Sequence, residues 1–190
     1  MARPATFSKS ELLAKLTEVF RRSGYDGASM ADLSKITGLS KASLYHHFPG
    51  GKAEMARTVL AEEGKRLQQL VLAPLGNLSD PLKALENSLH GVGQFYSGEV
   101  PCCLMNSIML GSGEALFKQG ISDAITAWSN LLTRAYEATG VSADEALAWA
   151  AYALERIQGA LIICRVASNR DAFEQCLIEL RGDVLAGGNS

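Results

Sequence analysis

Between Ser29 and Lys52 the chain has room for only two short helices. Ser29-Met-Ala-Asp32 opens the first, with Leu33 and Ile36 turned inward, and Gly38 stops it. Ser40 caps the second, over about Lys41 to His47, with Leu44 and Phe48 four residues apart on its buried side. Pro49-Gly50-Gly51 then breaks the chain again. Two short helices around a glycine-containing turn read as a helix-turn-helix. In such a unit the second helix lies in the major groove of a duplex, so its outward residues are expected to be small, polar or cationic. Lys41, Ala42, Ser43, His46 and His47 fit that description. Short side chains at Ala42 and Ser43 let the helix backbone come close to base edges. Lys52, at the start of the next helix, offers an ammonium and nearby free amides to a phosphate.

The rest of the chain also reads as helix, about nine in all, with no alternating strand pattern and no internal repeat. Ser8-Lys-Ser-Glu11 is a capping box ahead of Leu12, Leu13, Leu16, Val19 and Phe20, and Gly24 ends that helix. A long helix is expected from about Lys52 to Leu72, and a fifth begins at Asp80-Pro81. A short apolar helix spans Cys102 to Leu110, and a seventh runs from about Gly120 to Thr139. Ser142-Ala-Asp-Glu145 is another capping box, opening a helix to about Ala167; the last runs from about Arg170 to Leu185. The tail Gly187 to Ser190 is expected to be disordered. The fold class is all-α: a three-helix N-terminal domain over residues 1–55 and a larger helical domain over 56–190, with the boundary inside the long fourth helix.

Charge divides along the same line. Residues 1–57 carry nine Lys or Arg against five Asp or Glu, and residues 58–190 carry nine against fifteen. A basic first third on an acidic body points to a polyanion as partner of the first third. No uninterrupted apolar run is long enough to span a membrane, and Met1 to Ser10 has no apolar leader segment, so a cytoplasmic protein is expected. Cys102, Cys103, Cys164 and Cys176 form no CxxC pair and have no zinc-ligand spacing, so neither metal nor cofactor is expected. They read as buried small apolar residues, with a thiol sensor as the alternative. No Ser/His/Asp set, phosphate-binding glycine loop or paired carboxylates point to an enzyme.

The stretch Ser29 to Lys52 resembles the TetR/AcrR family of regulators, through the spacing of Leu33, Gly38-Leu39-Ser40, Leu44-Tyr45, His47-Phe48 and Lys52. With the first helix the resemblance covers about residues 8–60. The Phe-Pro-Gly-Gly-Lys form has one residue more than the common spacing and resembles the LmrA/YxaF branch. The resemblance implies that Tyr45 bonds a phosphate, that Lys41, Ala42, Ser43 and His46 face bases or nearby phosphates, and that Ser29 meets the DNA backbone. Ser40 and His47 complete the expected interface with double-stranded DNA; His47 reads equally as a packing residue.

The family also implies a C-terminal domain that binds a small-molecule effector and forms a homodimer. Phe95, Tyr96, Cys103, Met105, Asn106, Met109, Trp128, Trp149, Tyr152 and Arg156 supply the apolar surface and few polar groups such a pocket needs, with plain core packing as the alternative for each. Leu147, Ala151, Leu154 and Leu161 of the eighth helix, with Phe173, Leu177 and Leu180 of the ninth, are the expected dimer interface. The implied function is a repressor released from a near-palindromic operator by a small, largely apolar ligand. The alternatives are an activator or ligand-independent regulator, and, from other classes, a helical enzyme, a lipid carrier or a protein-interaction module.

Overall fold

The computed structural model describes residues 8–187, and among them every regular element is helical. The elements are α1 (Lys9–Gly27), α2 (Met30–Thr37), α3 (Lys41–His47), α4 (Gly51–Leu67), α5 (Pro81–Phe95), α6 (Leu104–Met109), α7 (Gly113–Glu137), α8 (Ala143–Ala167) and α9 (Asp171–Gly187). Residues 188–190 of the expected disordered tail, and most of Met1 to Ser10, lie outside the described residues.

Local chemistry sets the helix starts. Ser8 with Glu11, Ser29 with Asp32 and Ser142 with Glu145 form reciprocal capping boxes, each serine oxygen taking an amide while the acid returns to the serine amide. Asp80 accepts from the Lys83 amide ahead of Pro81. α1 bends at Gly24 and continues for one more turn to Gly27, a little past the expected stop.

Two boundaries differ from the sequence reading. α7 begins at Gly113, not near Gly120, because Gly120 sits in open space on the helix surface and interrupts nothing. The long fourth helix does not run evenly to Leu72. It ends at Leu67, widens into a π turn over Gln68–Leu72 and tightens into a 3-10 turn over Ala73–Gly76. The carbonyls of the widened turn meet α5. Ser88 Oγ donates to Val71 O at 2.8 Å. Gly91 packs so closely on Leu70 O that a Cβ there would overlap it.

By contact the chain divides into two units, a different division from one cut after residue 55. The first comprises the residues up to Glu63 together with Leu104–Ile121; the second comprises Gly64–Cys103 and the chain from Ser122 onward. The divisions fall inside α4 and α7. In the first unit, Leu16, Phe20, Leu33, Leu44, Met55 and Val59 form a core that Leu104, Ile108 and Phe117 complete. α6 is fastened to α1 by polar contacts as well. Ser107 Oγ donates to Arg21 O at 2.9 Å, and Asp26 accepts from the amide of Ser112 at 2.8 Å and from its hydroxyl. Those bonds hold the Asp26 carboxyl below its ordinary value, those from Ser112 being the main cause. A carboxyl depressed in the folded state holds its contact above the unfolded value of 3.8 and loses it as pH falls through the lowered one. The protection of the Ser112 amide, its exchange rate relative to the unstructured chain at the same pH, should therefore be high at neutral pH and fall only in acid below that value. In Asp26→Asn, which keeps an acceptor oxygen but does not titrate, that dependence on pH should disappear.

In the second unit α8 packs on α9 and α9 on α5. Trp128, Leu161 and Phe173 are fully buried there. α8 is long and apolar enough to cross a membrane by length and composition, with a mean hydropathy of 1.2 over its most apolar 18 residues. The helix is not an uninterrupted apolar run, since Glu155, Arg156 and Arg165 fall within it. Ala146, Ala150, Ala153, Leu154 and Ile157 of α8 are buried against the chain's own elements, and Arg156 pairs with Glu179 of α9. The apolar residues it leaves exposed include Leu147, Tyr152, Ile162, Ile163 and Val166.

Candidate nucleic-acid interface

The turn between α2 and α3 is built to hold one geometry. Gly38 ends α2 at φ 69°, a left-handed conformation that costs glycine nothing. Thr37 Oγ1 donates back to Leu33 O at 2.6 Å and accepts from the Leu39 amide at 3.3 Å, and Ser34 Oγ donates to Leu39 O. Lys15 of α1 donates to Ile36 O at 3.2 Å, tying down the carbonyl end of α2. Ser40 then caps α3, accepting from the Ser43 amide at 3.1 Å.

α3 keeps only Leu44 buried, and Phe48, immediately after it, anchors the same side; both lie in the core of the first unit. Most of the other residues expected at the interface are outside. Ser29, Ser40, Lys41, Ala42, Tyr45, His46 and His47 are exposed, and Ser43 is half-buried. Tyr45 is 50% exposed although aromatic, and one edge of its ring rests on Gly51, where a Cβ would come within 3.1 Å. Gly51 itself has φ 63°, so the position suits glycine on both counts. His46 and His47 stand edge to face with ring centres 6.0 Å apart. The packing alternative for His47 thus finds no burial.

Lys52 is half-buried and has a partner within the protein. Its ammonium donates to Tyr25 O at 2.9 Å and lies 4.5 Å from the centre of the Tyr25 ring. It ties the first turn of α4 to the end of α1. Sequence spacing placed it correctly at a helix start but could not show that α1 comes back beneath it.

The residues expected to bind an effector divide between the two units. Phe95, Tyr96 and Phe173 form a cluster of edge-on rings, with centres 4.8 and 5.7 Å apart in turn. Trp149 stands edge-on to Tyr136. Cys103 is buried in the second unit, whereas Met105, Asn106 and Met109 belong to the first, on α6. Tyr152 is exposed, and Arg156 is exposed and paired with Glu179. Trp128 alone of the ten lines the cavity of the second unit, where α5, α7, α8 and α9 meet around Leu85, Leu132, Ile157 and Leu180. Periodicity marked inward faces but not which of them meet at a void.

The expected dimer residues divide in the same way. Leu147 and Ala151 are exposed on α8. Leu154, Leu161, Phe173 and Leu180 are buried in the chain's own core, and Leu177 packs against Gly93. Four further apolar residues of these two helices, Ile162, Ile163, Val166 and Ile178, are exposed.

The free cysteines are buried except Cys102, which is half-buried. Burial pushes the Cys176 thiol up, away from the reactive thiolate. No group of three or more potential metal ligands occurs among the described residues.

Comparison with known proteins agrees with this arrangement. Residues 12–59 match the model of bacterial regulatory proteins of the tetR family, and residues 94–177 match the C-terminal domain of LmrA/YxaF-like transcriptional regulators. The chain is 25% identical over 167 residues to the HTH-type transcriptional regulator LmrA of Bacillus subtilis, covering 85% of this chain and 88% of that protein. A TetR transcriptional regulator from Legionella pneumophila shares the fold with a TM-score of 0.75 at 17% identity, over 94% of this chain and 98% of that one. The TetR family regulator CifR, solved as a cysteine mutant with 26-bp double-strand operator DNA, does so with a TM-score of 0.73 at 19% identity, over 99% of both chains. With a helix-turn-helix at its head and an LmrA/YxaF-like second domain, the chain belongs to the TetR family of DNA-binding transcriptional regulators.

Proposed function

We propose that this protein is a cytoplasmic repressor that binds a near-palindromic operator as a homodimer and is released by a small, largely apolar effector. One observation carries the DNA-binding side. α3 turns Leu44 inward and leaves Lys41, Ala42, Tyr45, His46 and His47 on the surface. Lys41 and Ala42 open the helix, where base edges are met first. Tyr45, braced by Gly51, offers its hydroxyl to a phosphate, as do Ser29 and Ser40 at the two helix starts. The Lys52 ammonium, held by Tyr25, acts by fixing the α1–α4 junction.

Pairing of two copies through α8 and α9 supplies the twofold symmetry that sets two recognition helices about 34–36 Å apart on a duplex. The exposed Leu147, Tyr152, Ile162, Ile163, Val166 and Ile178 support that pairing, because an apolar surface of this kind is stable when covered. An effector binding more tightly to the released form shifts the population away from the DNA-bound one.

Lys41→Ala tests the DNA-binding face. With DNA from immediately upstream of the protein's own gene as probe, fluorescence anisotropy should show a loss of about 1–3 kcal/mol if Lys41 reads a base edge. If it meets only phosphate the loss should be smaller, with a shallower dependence on salt. Unchanged affinity and salt slope would remove Lys41 from the interface.

A further inference from the structure

The first unit fastens α4 to α1 at two polar points. Near the start of α4, Lys52 donates to Tyr25 O at 2.9 Å. Glu63, eleven positions later, takes a hydrogen bond from Nη2 of Arg21. Eleven residues make about three turns, so both fasteners lie on one face of α4, roughly 16 Å apart. Between them Met55, Ala56 and Val59 are fully buried in one core with Leu16 and Phe20. That apolar contact is non-directional; it holds the two helices together without fixing the angle between them. A planar guanidinium on a carboxylate is directional. Arg21 is reached from α6 as well, since Ser107 Oγ donates to its carbonyl.

The Arg21–Glu63 pair is a poor device for stability. Only 27% of the Arg21 side chain and 11% of that of Glu63 reach solvent, so both charges are largely desolvated. Arg21 Nε is buried and, among the described residues, has no acceptor. Apolar side chains of similar volume in place of such a pair are often neutral or stabilising. We propose that the pair instead positions the DNA-reading surface: Arg21, held by Ser107 and clamped to Glu63, sets the angle of α4 against α1 and with it the pose of the recognition helix. α1 already carries the other side of that surface, because Lys15 donates to Ile36 O at the end of α2. α3 passes to α4 through Phe48, Pro49 and Gly50, and Gly51, the first residue of α4, seats the Tyr45 ring. A tilt of α4 on α1 therefore moves Tyr45 relative to Lys41 and Ser29. Arg21 and Glu63 act as positioning residues for sequence reading, which demands geometry. Attraction to phosphates demands only charge and is indifferent to them.

Arg21→Met combined with Glu63→Leu tests this, because it removes one charge of each sign, leaves the net charge unchanged and nearly keeps the volume. The probes are the duplex that the full-length parent selects from a random-sequence pool and a mixed-sequence duplex of equal length. Affinity for the selected duplex should fall about 3- to 30-fold. Affinity for the mixed duplex should stay within about 2-fold of the parent's. The thermal midpoint should drop by no more than roughly 4 °C. Arg21→Glu with Glu63→Arg restores the attraction in reverse and should regain most of the lost discrimination. Should the apolar pair fail to fold, Glu63→Gln keeps the shape and an acceptor, and should lose about 3-fold on the selected duplex alone. Undiminished affinity for the selected duplex, equal losses on both duplexes, or a reversed pair no better than the apolar one would each overturn the positioning role.

Discussion

Replacing Gly91 by alanine is expected to lower the stability of the protein by about 3 kcal/mol, at the upper end for an overpacked site. The sign is the informative part. Gly91 lies inside α5, and in an exposed helix interior the same change would stabilise by roughly 0.8–1 kcal/mol. Here the added methyl would overlap the carbonyl oxygen of Leu70, a backbone atom of the π turn that cannot rotate away as a side chain can. Relief requires α5 to move off that turn, which also breaks the bond from Ser88 to Val71. Thermal unfolding should show a midpoint lowered by roughly 6–12 °C. A midpoint at or above the parent's would mean that the α5 contact is looser than described.

The second large effect concerns pairing. If two copies pair through the exposed face of α8 as proposed, Ile163→Asp combined with Val166→Asp should weaken that pairing on the order of 100-fold, because two residues at the centre of an apolar interface each contribute at the level of about 2 kcal/mol or less, and carboxylates facing their own copies repel. Both side chains are exposed, Val166 to 81%, so the fold of each chain should change by no more than about 0.5 kcal/mol. Light scattering should report monomers at concentrations where the parent is dimeric, and operator binding should weaken with them. A persisting dimer would place the interface on another surface. Cutting the chain after Ala167 is a poorer test, since α9 carries Phe173 and Leu180 into the core and its loss would uncover that core.

Punctuation was the legible part of this sequence. Three capping boxes, Gly38 and Asp80-Pro81 each act on the backbone beside them, so their effect is local and readable. The split of α3 into an anchored and a presented side follows from the four-residue spacing of Leu44 and Phe48. What escaped depends on which distant segment arrives. Lys52 finds the carbonyl of Tyr25, 27 positions earlier, and Ser107 finds that of Arg21, 86 positions earlier. The last two helices show the same limit. Leu161 and Ile162 are neighbours of equal hydrophobicity, yet one is buried and the other open. Periodicity finds an apolar helix but does not choose between its two sides when both carry apolar residues.

The return of α6 to α1 has a consequence for taking the molecule apart. Leu104, Ile108 and Phe117 close the core beneath the recognition helix, though they sit 41 or more positions beyond Glu63. A fragment stopped at Glu63 would display the seat of those side chains to water, and it should aggregate or fluctuate where the parent is rigid. Swapping reading heads between relatives would therefore demand a two-piece transplant, the leading segment and its later patch together. Genes that exchange only the first piece would inherit a specificity they cannot hold still.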